Sequence, residues 1–235
     1  MDIHKPKPWH GVREFLKEYV IIVVGVLTAL AAEQGVEWLH WRHEAQVADA
    51  ALRTELHFNG TNAYRYIVSW PCEQKRLDEL SADLRGATGA WKGQGFAYRG
   101  RRVAFIAPGR GWPVASWEEY KANGAVQHIS DARRRLFGAA YVHVAAAIDW
   151  NRDLSSAIAD LAILANDLPL SDVTRDRELA AVERARFTGE LEAASGQQLL
   201  DLLGQLGVSF TEAEQHPSSA ACAAQYGPAR HVDAP

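Results

Sequence analysis

The chain has 235 residues, enough for one sizeable domain or two small ones with a real core. Hydrophobic residues make up 48% and charged residues 23%, a balance that excludes general disorder. The net charge of -4 argues against a nucleic-acid partner, which needs a concentrated basic face.

Residues 19–32 read YVIIVVGVLTALAA, fourteen positions without a charge. A hydrocarbon core needs roughly 20 helical residues, so the run alone is short. Its flanks extend it, with Phe15 and Leu16 before it and Val36, Trp38 and Leu39 after it. Lys17 can snorkel toward headgroups, while Glu33 and Gln34 fall in the outer third of a bilayer. Eight Trp stand against one Met, and several of those Trp flank this run. Trp9 and Tyr19 on one side, with Trp38 and Trp41 on the other, are placed as two interfacial aromatic belts. The expected organisation is therefore a cytoplasmic lead (1–14), a transmembrane helix (15–39), a periplasmic helical domain (40–216) and a tail (217–235).

Orientation follows from basic residues near the span. Lys5, Lys7, Arg13 and Lys17 precede or enter it, whereas Arg42 and Arg53 follow it, which puts the N-terminus in the cytoplasm. A cleaved signal peptide is the competing expectation, because a basic start, an apolar core and Ala29-Leu30-Ala31 match its three parts. Secretion to the periplasm would follow. Glu14 and Glu18 oppose it, as does the helical pattern that continues beyond the cleavage point.

FLKEYVIIVVGVLTALAAEQGVEWLHWR resembles the opening of a group of uncharacterised bacterial single-span membrane proteins, and PCEQKRLDEL resembles a later segment of them. The resemblance covers about residues 10–85. It implies a retained anchor in a bacterial inner membrane and carries no activity with it.

After the span, Leu52, Leu56, Asn59, Ala63, Tyr66 and Trp70 repeat at 4, 3, 4, 3, 4, a heptad-like seam. Asn59-Gly60 predicts a kink or break, and Pro71 predicts the end of this helix or the start of the next. Leu77, Leu80 and Leu84 then mark a short amphipathic helix over 73–85. Seven of the 28 residues in 86–113 are Gly, so an irregular loop is expected, with a small hairpin turning near Gly100. Ser116 and Glu119 have capping-box spacing. Ser130 is placed to cap a helix running toward Asn166 before Pro169. Its face carries Leu136, Ala140, His143, Ala147, Trp150, Leu154, Ile158 and Leu161. A further helix is expected over 174–194, and a last one capped by Ser195 ends at Gly207. The fold class is all-α, an antiparallel bundle continuing from the transmembrane helix.

Cys72 and Cys222 are the only cysteines. In an oxidising periplasm they are expected to form a disulfide, the alternative being two unrelated thiols. Glu37, His40, His43 and Glu44 share helical spacing but make an incomplete metal site, so no metal or cofactor is expected. His143 lies on an apolar face without a nucleophile motif, which suits a bonded core histidine better than a general base. Asp149 and Asp160 suit surface positions. GATGAWKG and GQGFAYRG lack the order that phosphate-binding loops need. Arg99, Arg101, Arg102 and Arg110 are solvated charges or contacts to anionic lipid.

Gly25, Ala29 and Ala32 form a small-residue stripe along the span, with Glu33 beside it. It suits a homo-oligomer or another membrane-protein partner, the alternative being a monomeric anchor in the lipid bilayer. The expected role is an interaction, scaffold or accessory protein. A periplasmic ligand-binding sensor bundle or an enzyme with an unrecognised site are the alternatives.

Overall fold

A computed structural model describes residues 11–107 and 111–217. The chain is mostly helical, as expected from its patterning, and its first element is helix α1 (Val12–Gly86). With 75 residues at 1.5 Å each, α1 is about 112 Å long. Among the described residues nothing covers its N-terminal part: Phe15, Tyr19, Ile22, Leu27 and Leu30 are all exposed. Burial begins at Ala45 and continues through Ala48, Leu52, Leu56, Ala63, Tyr66, Leu77, Leu80 and Leu84. One continuous helix is thus an uncovered apolar rod at one end and the central column of a domain at the other.

Two other long helices complete that domain, α3 (Asp131–Asp160) and α4 (Asp172–Gln205). The pairs Asp49–Arg133 and Glu55–Tyr141 advance together, so α1 and α3 run parallel. Gly60 meets Leu203 and Trp70 meets Gly189, so α4 runs antiparallel to α1. The bundle therefore departs from a purely antiparallel arrangement. It must, because the connection from Gly86 to Asp131 returns along the whole domain before α3 begins.

That return strand of chain is built in short pieces. β1 (Gly89–Trp91) pairs antiparallel with β4 (Leu168–Leu170), Gly89 opposite Leu170. β2 (Phe96–Tyr98) and β3 (Arg101–Val103) form the expected hairpin, turning through Arg99 and Gly100. Both turn residues have positive φ, 47° and 77°, which a two-residue hairpin turn demands and glycine supplies cheaply. Half-buried Arg76 of α1 holds this region by donating to the carbonyls of Ala104 (3.0 Å) and Gln94 (2.8 Å). Asp167 accepts from the Gly93 N–H and from Lys92, and these two partners hold its carboxyl below the ordinary aspartate range. Helix α2 (Ala115–Ala122) and a 3-10 turn (Ala125–His128) then lead into α3.

Several sequence expectations are corrected by packing. Asn59-Gly60 neither kinks nor breaks α1. Asn59 and Asn62 donate through Nδ2 to the carbonyls of Pro113 (2.9 Å) and Gly111 (2.8 Å), tying the connection to the helix. Gly60 makes room for the turn after α4, since a Cβ there would lie 2.4 Å from the Phe210 ring. Pro71 lies inside α1 and ends nothing. Nor do Ser116 and Glu119 form a capping box. The N-cap of α2 is Val114, and Glu55 of α1 accepts from the Ser116 N–H (2.8 Å) and the Trp117 N–H (3.3 Å) instead. Ser195 caps no helix: α4 passes through it, and its hydroxyl meets Nδ1 of His143 at 2.9 Å. Ser130 does stand at the N-cap of α3.

The core divides along the bundle axis. One cluster joins Ala48, Leu52 and Leu56 to Phe137, Val144, Leu199 and Leu203. The second joins Leu77, Leu80 and Leu84 to Trp91, Phe105, Leu161 and Val182. After α4, Gly207 (φ 71°) reverses the chain, with the Val208 N–H bonded to the Leu203 carbonyl (2.9 Å), a Schellman closure. Phe210 then stacks on His57 at 5.0 Å, and α5 (Glu212–Gln215) is closed by a capping box between Thr211 and Glu214.

Candidate functional site

Where α1 leaves the domain, one of its faces presents Trp38, Trp41, Arg42, Ala45 and Asp49 toward the residues just before and within the first turn of α3. Between them lies a cleft of about 500 Å³, closed on the other side by His128, Ile129, Ser130 and Arg133. The wall is set by three contacts. Trp41 stacks on His128 with centroids 4.2 Å apart and planes 11° off parallel. Arg133 grips Asp49 with two bonds, Nε to Oδ1 at 2.6 Å and Nη2 to Oδ2 at 2.9 Å. The Arg42 guanidinium lies 5.3 Å from the centre of the Trp38 ring, within cation–π range.

The local fold explains why these groups converge. Gly124, at φ 86°, turns the chain into the 3-10 turn, and the Asn123 side chain accepts from the Ala125 N–H at 3.0 Å. This brings His128 back against α1. Ser130, which lines the cleft, starts the 30-residue α3 without a side-chain cap bond, and the first N–H groups of a helix have no partner within it. The lining carries two arginines against one aspartate.

A second polar assembly lies further along α1. Glu55, 9% exposed, takes the Tyr141 hydroxyl at 2.5 Å besides the two N–H groups of α2. Burial first, and then the adjacent Glu55 carboxylate, push the Tyr141 hydroxyl far above the ordinary tyrosine range. Trp117 stacks on Tyr141 at 4.7 Å. The assembly is a structural joint: it caps α2 and locks it between α1 and α3.

Other residues singled out from the sequence are placed as follows. Trp38 and Trp41 come together at the cleft, whereas Trp9 lies outside the described residues. Tyr19 is exposed and stacks on Phe15 at 6.4 Å. Gly25, Ala29, Ala32 and Glu33 are all exposed on the uncovered part of α1, and nothing lies within 4 Å of a Cβ built at Gly25. Cys72 is half-buried on α1, while Cys222 lies outside the described residues. Among the described residues no three His, Cys, Asp or Glu side chains converge as a metal site would require. Asp149 pairs with Arg152 and Asp160 with Arg184, both at 2.9 Å. Arg99 and Arg102 stay on the hairpin surface, and Arg110 lies outside the described residues. Glu55, Asp49, His128 and Arg133 were not anticipated. The signal for Glu55 was a carboxylate beside Leu52 and Leu56 in an apolar seam, where a charge needs partners.

Compared with known protein families, curated proteins and solved structures, the chain matches none of them.

Proposed function

We propose that the chain is a single-span bacterial inner-membrane protein that holds a helical interaction or scaffold domain against the outer face of that membrane. The anchor is residues 15–39, the N-terminus is cytoplasmic, and residues 40–216 form the periplasmic domain. One observation carries this reading: the 18-residue apolar window of α1 has none of its residues buried, while the same helix continues into the core of the domain. Leaving so many apolar side chains in water is unfavourable at roughly 25 cal/mol per Å², and a bilayer removes that cost. Ala29-Leu30-Ala31, the candidate cleavage site, lies in mid-helix, which favours retention over cleavage. The lipid bilayer is then the first partner. Gly25, Ala29 and Ala32, uncovered on one helical face, suit a second membrane helix, from another copy or another protein.

The test is intact-mass analysis together with a carbonate wash of membranes expressing the full chain. The mature protein is expected to begin at Met1 or Asp2 and to stay in the membrane fraction. A mass beginning near Ala32, with the protein released, would replace the anchor by a secreted domain.

A further inference from the structure

We infer that the cleft between α1 and the start of α3 binds the phosphate-bearing headgroup of an anionic phospholipid. The inference rests on the anchored reading of residues 15–39, and three features of the cleft carry it.

The first is position. Trp38 falls on the last turn of that segment, and Trp41 and Arg42 on the first turn beyond it, within about 5 Å of its end along the helix. The headgroup layer on each side of a bilayer is about 5–7 Å deep, so the cleft mouth lies within it. The second is charge. Asp49 engages the fork of Arg133, whereas Arg42 is exposed and, among the described residues, forms no ion pair. Arg42 is therefore the cation free to meet a phosphate, and Trp38 beneath it limits the directions its guanidinium can take. The third is the α3 N-terminus. Ser130 offers no side-chain cap, and Asp131 in the first turn is held by Arg134 at 2.7 Å. An anion entering beside Ser130 would find unsatisfied N–H groups and the positive end of the helix dipole. The lipid's acyl chains would leave along the uncovered face of α1.

The probe is the full-length protein in mild detergent, mixed with dioleoylphosphatidylglycerol or dioleoylphosphatidylcholine at equal concentration and weighed by native mass spectrometry. The anionic lipid is expected to be retained about fivefold better, the value of one basic side chain at an anionic surface. Arg42→Gln should bring the two lipids level. Arg152→Gln, about 33 Å along α3 from Ser130, should keep the difference. Equal retention by the parent, or undiminished selectivity in Arg42→Gln, overturns the assignment. Full displacement of the lipid by millimolar inorganic phosphate would make the cleft a site for free anions and overturn it as well. Because Arg42 is exposed, its substitution leaves the fold intact, and the carbonate wash reports separately on the anchor.

Discussion

Glycine has opposite meanings at two positions in the long helices. At Gly189 of α4, a Cβ would lie 2.0 Å from the Trp70 ring, so the missing side chain is what lets that indole lie flat between helices. At Gly138 of α3, nothing lies within 4 Å. Gly138→Ala should therefore stabilise by about 0.5–1 kcal/mol, the ordinary helical preference. Gly189→Ala should destabilise by about 1–3 kcal/mol through overpacking, despite the same propensity gain. Urea melts of the two variants check the sign contrast, and a stabilised Gly189→Ala would mean that Trp70 can leave its place at little cost. Neither role was visible in the sequence, because a glycine in a helical pattern looks the same whether it faces water or an indole 119 positions away.

At the scale of elements, what was legible was periodicity, and what was not was capping by distant side chains. The seam from Leu52 to Trp70 and the hairpin at Gly100 follow from local chemistry, and the structure has both. Local signals failed where tertiary contacts outweighed them. Asn59-Gly60 has turn chemistry, yet its amide holds Pro113 and its glycine admits Phe210. Ser116 and Glu119 have capping spacing, yet Glu55 reaches the same N–H groups from another helix. Of the cleft, the tryptophans were legible from the edge of the apolar run. His128 and Arg133 were not, being about 90 residues away in the chain. Pro71 gives a prediction at this scale. It is exposed, and an interior proline removes one helical hydrogen bond and crowds the preceding turn at a cost of about 3 kcal/mol. Pro71→Ala should therefore raise the thermal midpoint. An unchanged or lowered midpoint in calorimetry would show that the helix draws some compensating benefit from the proline.

For the whole molecule, the Cys72–Cys222 disulfide expected from the sequence would close nearly the entire domain into one loop. In the chain-entropy description, a loop of that size stabilises by about 4–5 kcal/mol. Alkylation before reduction should label neither cysteine of the mature protein, and digestion should yield the cross-linked peptide. Labelling of both in folded protein would remove the link and weaken the periplasmic placement with it.

The order of the three long helices sets a schedule for making the protein. The face of α1 from Leu52 to Leu84 is covered largely by α4, and α4 is complete only at Gln205. At about 5–20 residues per second, some 120 residues of synthesis after Leu84 take roughly 6–24 s. Throughout that interval, if residues 15–39 anchor the chain as proposed, the nascent protein would hold an apolar stripe out beside the membrane, with its cover still unmade. A chaperone that shields helices on the outer face, or quick docking of that stripe onto lipid, would then be a condition of the protein's biogenesis.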